Sequence, residues 1–113
     1  MPLEAHHSKP LTTLDQLQTA LQQGTTTCSA TVDHCLNNIA HGAHLNAFVR
    51  TYAQEAQQRA VAIDQKCASN QAQPLAGLVV GLKDLLCYQD HPVEACSKIL
   101  TGFVSQLNAT VTQ

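Results

Sequence analysis

The sequence predicts an α/β chain: an N-terminal helical hairpin and a third helix that lead into a first, buried strand. Three observations predict it. Apolar residues recur at helical spacing as far as Cys67, between threonine caps and glycine stops. The apolar run LAGLVVGL over 75–82 is then bounded by Pro74 and by Lys83-Asp84. No second run of that quality comes after it, so the strand lacks a sheet of its own within the chain.

The first ten residues, MPLEAHHSKP, are polar, carry His6 and His7 and end in Pro10. They read as a flexible arm over 1–10, with one folded portion over 11–113. Leu14, Leu17 and Leu21 then recur at i, i+3 and i+7, with Thr12 or Thr13 as the N-cap and Gly24 just past the end. Thr25 to Thr27 supply hydroxyls that cap the next helix, in which Val32, Cys35, Leu36 and Ile39 form one face between Cys28 and Ala40. Gly42 closes it. The link between these two helices is short enough to make them an antiparallel hairpin.

Leu45 to Val49 is a short apolar stretch, either extended or leading into a helix. Thr51 is placed as the cap of a third helix, with Tyr52, Ala56, Ala60, Ile63 and Cys67 on one face. Gln54, Gln58 and Gln65 lie on the opposite one. After the polar loop Ser69 to Gln73 and Pro74, the length of the 75–82 run and its valine pair favour a buried strand. Leu85 to Val93 reads as a loop holding Pro92. Cys96, Ile99, Leu100 and Phe103 predict a helical turn stopped near Gly102, and Asn108 is placed as the cap of a helix that barely starts before Gln113. A strand apolar on both faces needs neighbours to pair its N–H and C=O groups, so the chain reads as the opening of a larger domain.

Composition narrows the function classes. With 12% charged residues and a net charge of −2, the chain lacks the clustered Lys and Arg that neutralise phosphates, which excludes nucleic-acid binding by charge. No apolar run approaches the roughly 18 residues that span a bilayer, and the start has no apolar signal-peptide core. Five cysteines, an odd number, then read as reduced thiols in a cytoplasmic protein.

The residue that points to chemistry is Lys83. A lysine closing a buried strand loses hydration, which disfavours the ammonium and favours the neutral amine that a general base needs. A solvated Lys-Asp pair at a strand end has the same spacing, and spacing alone favours that plainer reading.

The segment Pro74-Leu75-Ala76-Gly77-Leu78-Val79-Val80-Gly81-Leu82-Lys83-Asp84 resembles the strand-plus-lysine block of the amidase signature family, P-L-x-G-[IV]-P-[IV]-x-[IVL]-K-D. Leu45-Asn46-Ala47-Phe48-Val49 upstream agrees with that family, as do Ala95 to Leu100 and Asn108 to Val111 downstream. Together with the N-terminal helical hairpin, these blocks run in family order from about Leu11 to the end of the chain. Within the family they are most similar to the A subunits of glutamyl-tRNA(Gln) amidotransferases. Ala76 and Val79 stand where His and Pro are common, Gly81 where a larger side chain is, and Asn108 where Asp is usual.

The resemblance implies the opening of an amidase signature sheet, truncated here, and a Ser–Ser–Lys amide hydrolase in which Lys83 accepts a proton through a bridging serine. A second serine attacks the amide of glutamine, and the ammonia converts Glu-tRNA(Gln) to Gln-tRNA(Gln). Both serines belong to a Gly/Ser-rich segment that this sequence does not contain, since its five glycines are isolated. Ser97 and Ser105 match neither position, so the chain by itself is expected to be inactive. The resemblance also implies B and C partner subunits, with ATP and Mg at the partner and no cofactor in this chain. Two other functions remain open: a non-catalytic helical binding module, and a fragment of an amidase acting on another small amide.

Other groups carry weaker signals. His34, Cys35, His41 and His44 lie close in sequence but lack the paired spacing of a zinc site. Cys28, Cys35 and Cys67 read as small core residues. Asn108-Ala109-Thr110 fits a glycosylation sequon but is more simply a helix cap.

Overall fold

The computed structural model describes residues 13–113, so the polar arm expected over 1–10 lies outside the described residues. The chain divides into two compact units between Val79 and Val80.

The first unit holds α1 (Leu14–Gln22), α2 (Cys28–His41) and α3 (Ala53–Ala68), with a 3₁₀ turn at Ala43–Leu45 after α2. Thr13 caps α1 by accepting the Gln16 N–H at 3.2 Å. The helix ends in a Schellman arrangement: Thr25 N–H reaches the Ala20 carbonyl at 3.0 Å and Gly24 N–H that of Leu21 at 3.2 Å. Gly24 takes φ +67°, the left-handed conformation that glycine adopts at least cost. Thr27 caps α2 through Ala30 N–H at 3.0 Å.

Thr51, placed above as the cap of α3, does not serve. The helix starts one residue later, from Tyr52, which makes no side-chain capping bond. Glu55 in the first turn supplies the negative charge that a helix start favours. At the other end Asn70 is left-handed (φ 56°), and Gln71 N–H returns to the Lys66 carbonyl at 2.8 Å.

The core is built from small side chains. Cys28, Val32 and Ala60 are buried together, and Leu21, Leu36, Ala56, Ile63 and Cys67 pack around them. This corrects the expected α1–α2 hairpin, because the main helix pair is α2 with α3. The nine-residue α1 buries only Leu17 and Ala20 and adds Leu21 to the cluster from one end. The longer α2 and α3 bring complementary small residues together along their facing sides.

The N-terminus of α2 is also tied directly to α3. Asp64 accepts the Cys28 N–H at 2.6 Å, the Ser29 N–H at 3.0 Å and the Ser29 hydroxyl at 2.6 Å. Burial alone would raise the Asp64 carboxyl, but the Ser29 hydroxyl and the two amides outweigh it and hold it below its ordinary value. Burial, reinforced by Asp64, pushes the Cys28 thiol up to about 12, so it stays protonated as a core residue.

The strand expected over 75–82 does not form; among the described residues there is no strand, only an isolated antiparallel bridge between Pro92 and Val104. A strand exists through hydrogen bonds to a neighbour, and no described segment of this chain offers one to that run. Residues 74–77 instead make a turn whose Pro74 carbonyl accepts from the Gln18 side chain. Ala76 and Gly77 are buried, while Leu75, Leu78, Val79, Val80 and Leu82 are exposed. Gly77 has φ +81°, and a Cβ there would lie 2.8 Å from Leu21 Cδ1 and 3.3 Å from Cys28 Sγ.

The second unit, Val80–Gln113, is irregular. Residues 90–93 pair with 103–105: Asp90 N–H reaches Ser105 O at 2.8 Å, Ser105 N–H reaches His91 O at 3.0 Å, and Val93 N–H reaches Phe103 O at 3.1 Å. The helical turn expected before Gly102 is a 3₁₀ turn, Lys98–Leu100, and Gly102 comes next but one with φ +80°. Asn108 is not a helix cap. Its Oδ1 accepts the Gln89 N–H at 2.8 Å, and the closing 3₁₀ turn Thr110–Thr112 begins after Ala109.

Two outcomes are expected in urea unfolding followed by circular dichroism. Gly77→Ala meets both a left-handed backbone and a side-chain clash and should destabilise the first unit by about 2–4 kcal/mol. Gly24→Ala, with open space around it, should cost only about 1 kcal/mol; equal losses would contradict the packing of Gly77. Because the folded Asp64 carboxyl sits below its unfolded value, its contribution is present above about pH 4 and disappears as pH falls through the folded value. Asp64→Ala should therefore cost about 1–3 kcal/mol at pH 7 and flatten the loss of stability toward pH 2. An unchanged acid limb would contradict the Asp64 bonds.

Candidate functional site

Lys83 sits in the second unit at the head of a tight turn. Its carbonyl accepts the Leu85 N–H at 2.7 Å and the Leu86 N–H at 3.0 Å, so the backbone wraps around Asp84 directly after the lysine. The Lys83 side chain is exposed, as are Leu82 and Leu85 on either side of the Lys-Asp pair.

Asp84 is half-buried and faces a loop ten residues on. Its Oδ1 accepts the Glu94 N–H at 3.2 Å, and its carbonyl accepts the Ala95 N–H at 2.9 Å. Ala95 and Cys96 are both left-handed, at φ 47° and 55°. Glu94 closes the loop, taking the Gly102 N–H on Oε1 at 2.8 Å and the Ser97 N–H on its carbonyl at 2.8 Å.

The other groups singled out by sequence are engaged in structure. Ser105 is 1% exposed, and its hydroxyl donates to the Leu107 carbonyl at 2.7 Å. Ser97 is half-buried in the 94–102 loop. On α2, His34 Nε2 lies 3.0 Å from the Asn38 amide nitrogen, and His41 Nδ1 lies 2.7 Å from the Asn37 carbonyl. Among the described residues no group of three His, Cys, Asp or Glu is placed to hold a metal. All five cysteines are free thiols. In the first unit, the Leu45–Val49 block contributes Asn46 to Val49 to a shallow cleft of about 300 Å³, with Ile39 and Arg50. Among the described residues no helix is long and apolar enough to cross a membrane.

One residue, Asp64, and one contact, that of Asp84 with the loop ten residues on, are absent from the expectations drawn from sequence. Asp64 was legible in principle: it falls on the Ala60, Ile63 and Cys67 side of α3, and a carboxylate on an apolar stripe needs donors. The pairing of Asp84 with residues 94–95 had no local signal, because ten residues separate the partners.

Residues 30–113 match the family model described as Amidase, a span that includes Lys83, Asp84 and the 94–102 loop. The chain belongs to the amidase family. Among curated proteins it is 39% identical over 102 residues to the A subunit of the glutamyl-tRNA(Gln) amidotransferase of Ruegeria pomeroyi, covering 89% of this chain and 21% of that one. It is 38% identical over 100 residues to its counterpart in Roseobacter denitrificans, with 88% and 20% covered. The Agrobacterium fabrum counterpart is 42% identical over 74 residues, 66% of this chain and 15% of that protein. The chain thus spans about a fifth of the length of the first of these relatives. No solved structure matches it.

The exposure of Lys83 predicts its chemistry toward reagents. In the folded 113-residue chain, acetic anhydride should label Lys83 together with the exposed Lys66 and Lys98, as read by peptide mass spectrometry. Protection of Lys83 alone would contradict its exposed position.

Proposed function

We propose that this chain is the N-terminal part of the subunit that releases ammonia from glutamine to convert Glu-tRNA(Gln) to Gln-tRNA(Gln), with Lys83 as its base. The observation that carries the reading is the Lys83-Asp84 pair within the matched amidase span, together with the names of the relatives. In this mechanism the neutral Lys83 amine takes a proton through a bridging serine. A second serine then attacks the glutamine amide carbonyl, the C–N bond breaks and ammonia leaves with the returned proton. Water hydrolyses the resulting acyl-serine to glutamate and regenerates the hydroxyl.

Both serines lie outside these 113 residues, so the chain alone has no nucleophile for the reaction. The apolar run 75–82 supports an α/β sheet in the complete domain, where neighbouring strands would pair its backbone and draw water away from Lys83. The partners are B and C subunits, with ATP and Mg held by the partner and no cofactor in this chain. The site of action is the cytoplasm.

The test is a chimera in which this chain replaces the corresponding segment of the Ruegeria pomeroyi protein, produced with its partner subunits. The chimera should hydrolyse glutamine. Lys83→Ala should lower kcat by about 10²–10⁴-fold, as loss of a general base does, without changing the circular dichroism spectrum. The 113-residue chain alone should show no turnover. A folded chimera without glutaminase activity, or one whose rate survives Lys83→Ala, overturns the reading.

A further inference from the structure

Asp84 offers two acceptors, one on its side chain and one on its main chain, and both go to adjacent amides of the same loop. Oδ1 holds Glu94 N–H and the carbonyl holds Ala95 N–H, at 3.2 and 2.9 Å. Asp84 is also the residue around which the Lys83 carbonyl closes its turn onto Leu85 and Leu86. The peptide leaving Lys83 is therefore held from both directions.

The clamped loop is itself costly to form. Ala95 and Cys96 occupy consecutive left-handed positions that L side chains avoid. Such a conformation persists where surrounding bonds over-determine it, and here they do: Asp84 from one side, Glu94 to Ser97 and Gly102 from the other. A carboxylate used to hold a strained loop against the turn that carries a lysine constrains the lysine's backbone more tightly than a solvent-facing Asp would.

We propose that Asp84 is a positioning residue for Lys83: by clamping residues 94–95 it fixes the peptide after the lysine and so the direction in which the amine departs from the backbone. The inference rests on the reading of Lys83 as the catalytic base. Asp84 acts as an acceptor only and exchanges no proton in the reaction. Misplacing a catalytic group by about 1 Å costs on the order of a hundredfold in rate, so the clamp has a kinetic signature.

The test uses the same chimera with its partner subunits. Asp84→Ala should lower kcat by about 10–100-fold with KM for glutamine little changed, because the clamp orients the base and not the amide. Asp84→Asn keeps an oxygen acceptor for the Glu94 amide and should restore most of the rate. Should Asp84→Ala not fold, Asp84→Val fills similar space without an acceptor and carries the same expectation. An acceptor-less variant with unchanged kcat overturns the clamp, and so does an Asn variant as slow as the acceptor-less one. Activity that survives Lys83→Ala overturns the underlying assignment of Lys83 instead, so the two failures are separable.

Discussion

The first unit depends on one carboxylate bridging two helices. The Asp64 oxygens receive the first two N–H groups of α2 and the Ser29 hydroxyl; a helix start leaves such amides without partners. Charge-assisted bonds of this kind contribute about 1.5–3 kcal/mol each, against the cost of drying the carboxylate. The lowered proton affinity of Asp64 shows the donors winning. Because those donors sit beside Cys28, the same bonds seat its buried thiol on Val32 and Ala60. The small-residue core buries little area per side chain, so the bridge adds to the α2–α3 register together with the exposed Gln57–Asp33 bond at 3.1 Å.

From that core the constraint passes to Gly77. A glycine is needed there for two reasons that act together, a left-handed backbone and the space taken by Leu21 and Cys28. The turn at 74–77 lies over α1 and buries only Ala76 and Gly77 of the apolar run. Its large side chains are left exposed: Leu75, Leu78, Val79, Val80 and Leu82 all face solvent, as does Leu85 after the run. Exposed apolar side chains in series favour a covering partner. The proposal that further strands of an amidase domain supply the cover accounts for this surplus in a chain spanning about a fifth of its relatives' length.

The helices were readable because their signals are local. Thr13 and Thr27 cap within three residues of themselves, and Gly24 ends α1 within the same turn. The expectations that the structure corrects have different causes. Asn108 has the chemistry of a cap, but the Gln89 amide claims its oxygen. Thr51 could have capped α3, yet the chain enters that helix one residue later. The run at 75–82 has a strand's composition, and pairing is a property of two segments. At the site, Lys83 and Asp84 were legible as a motif, whereas the clamp onto 94–95 was not.

By itself, then, the sequence determined the extents of α1 and α2 closely, the face of α3 that is buried and the Lys83-Asp84 motif within the span that matches the amidase family. Each of these comes from periodicity, from a capping side chain or from a contiguous motif. Tertiary structure alone decided that α2 pairs with α3, that Asp64 joins them, that the apolar run stays unpaired and that Asp84 grips the 94–102 loop. Those outcomes depend on which distant groups meet, and no local pattern of residue types encodes the meeting.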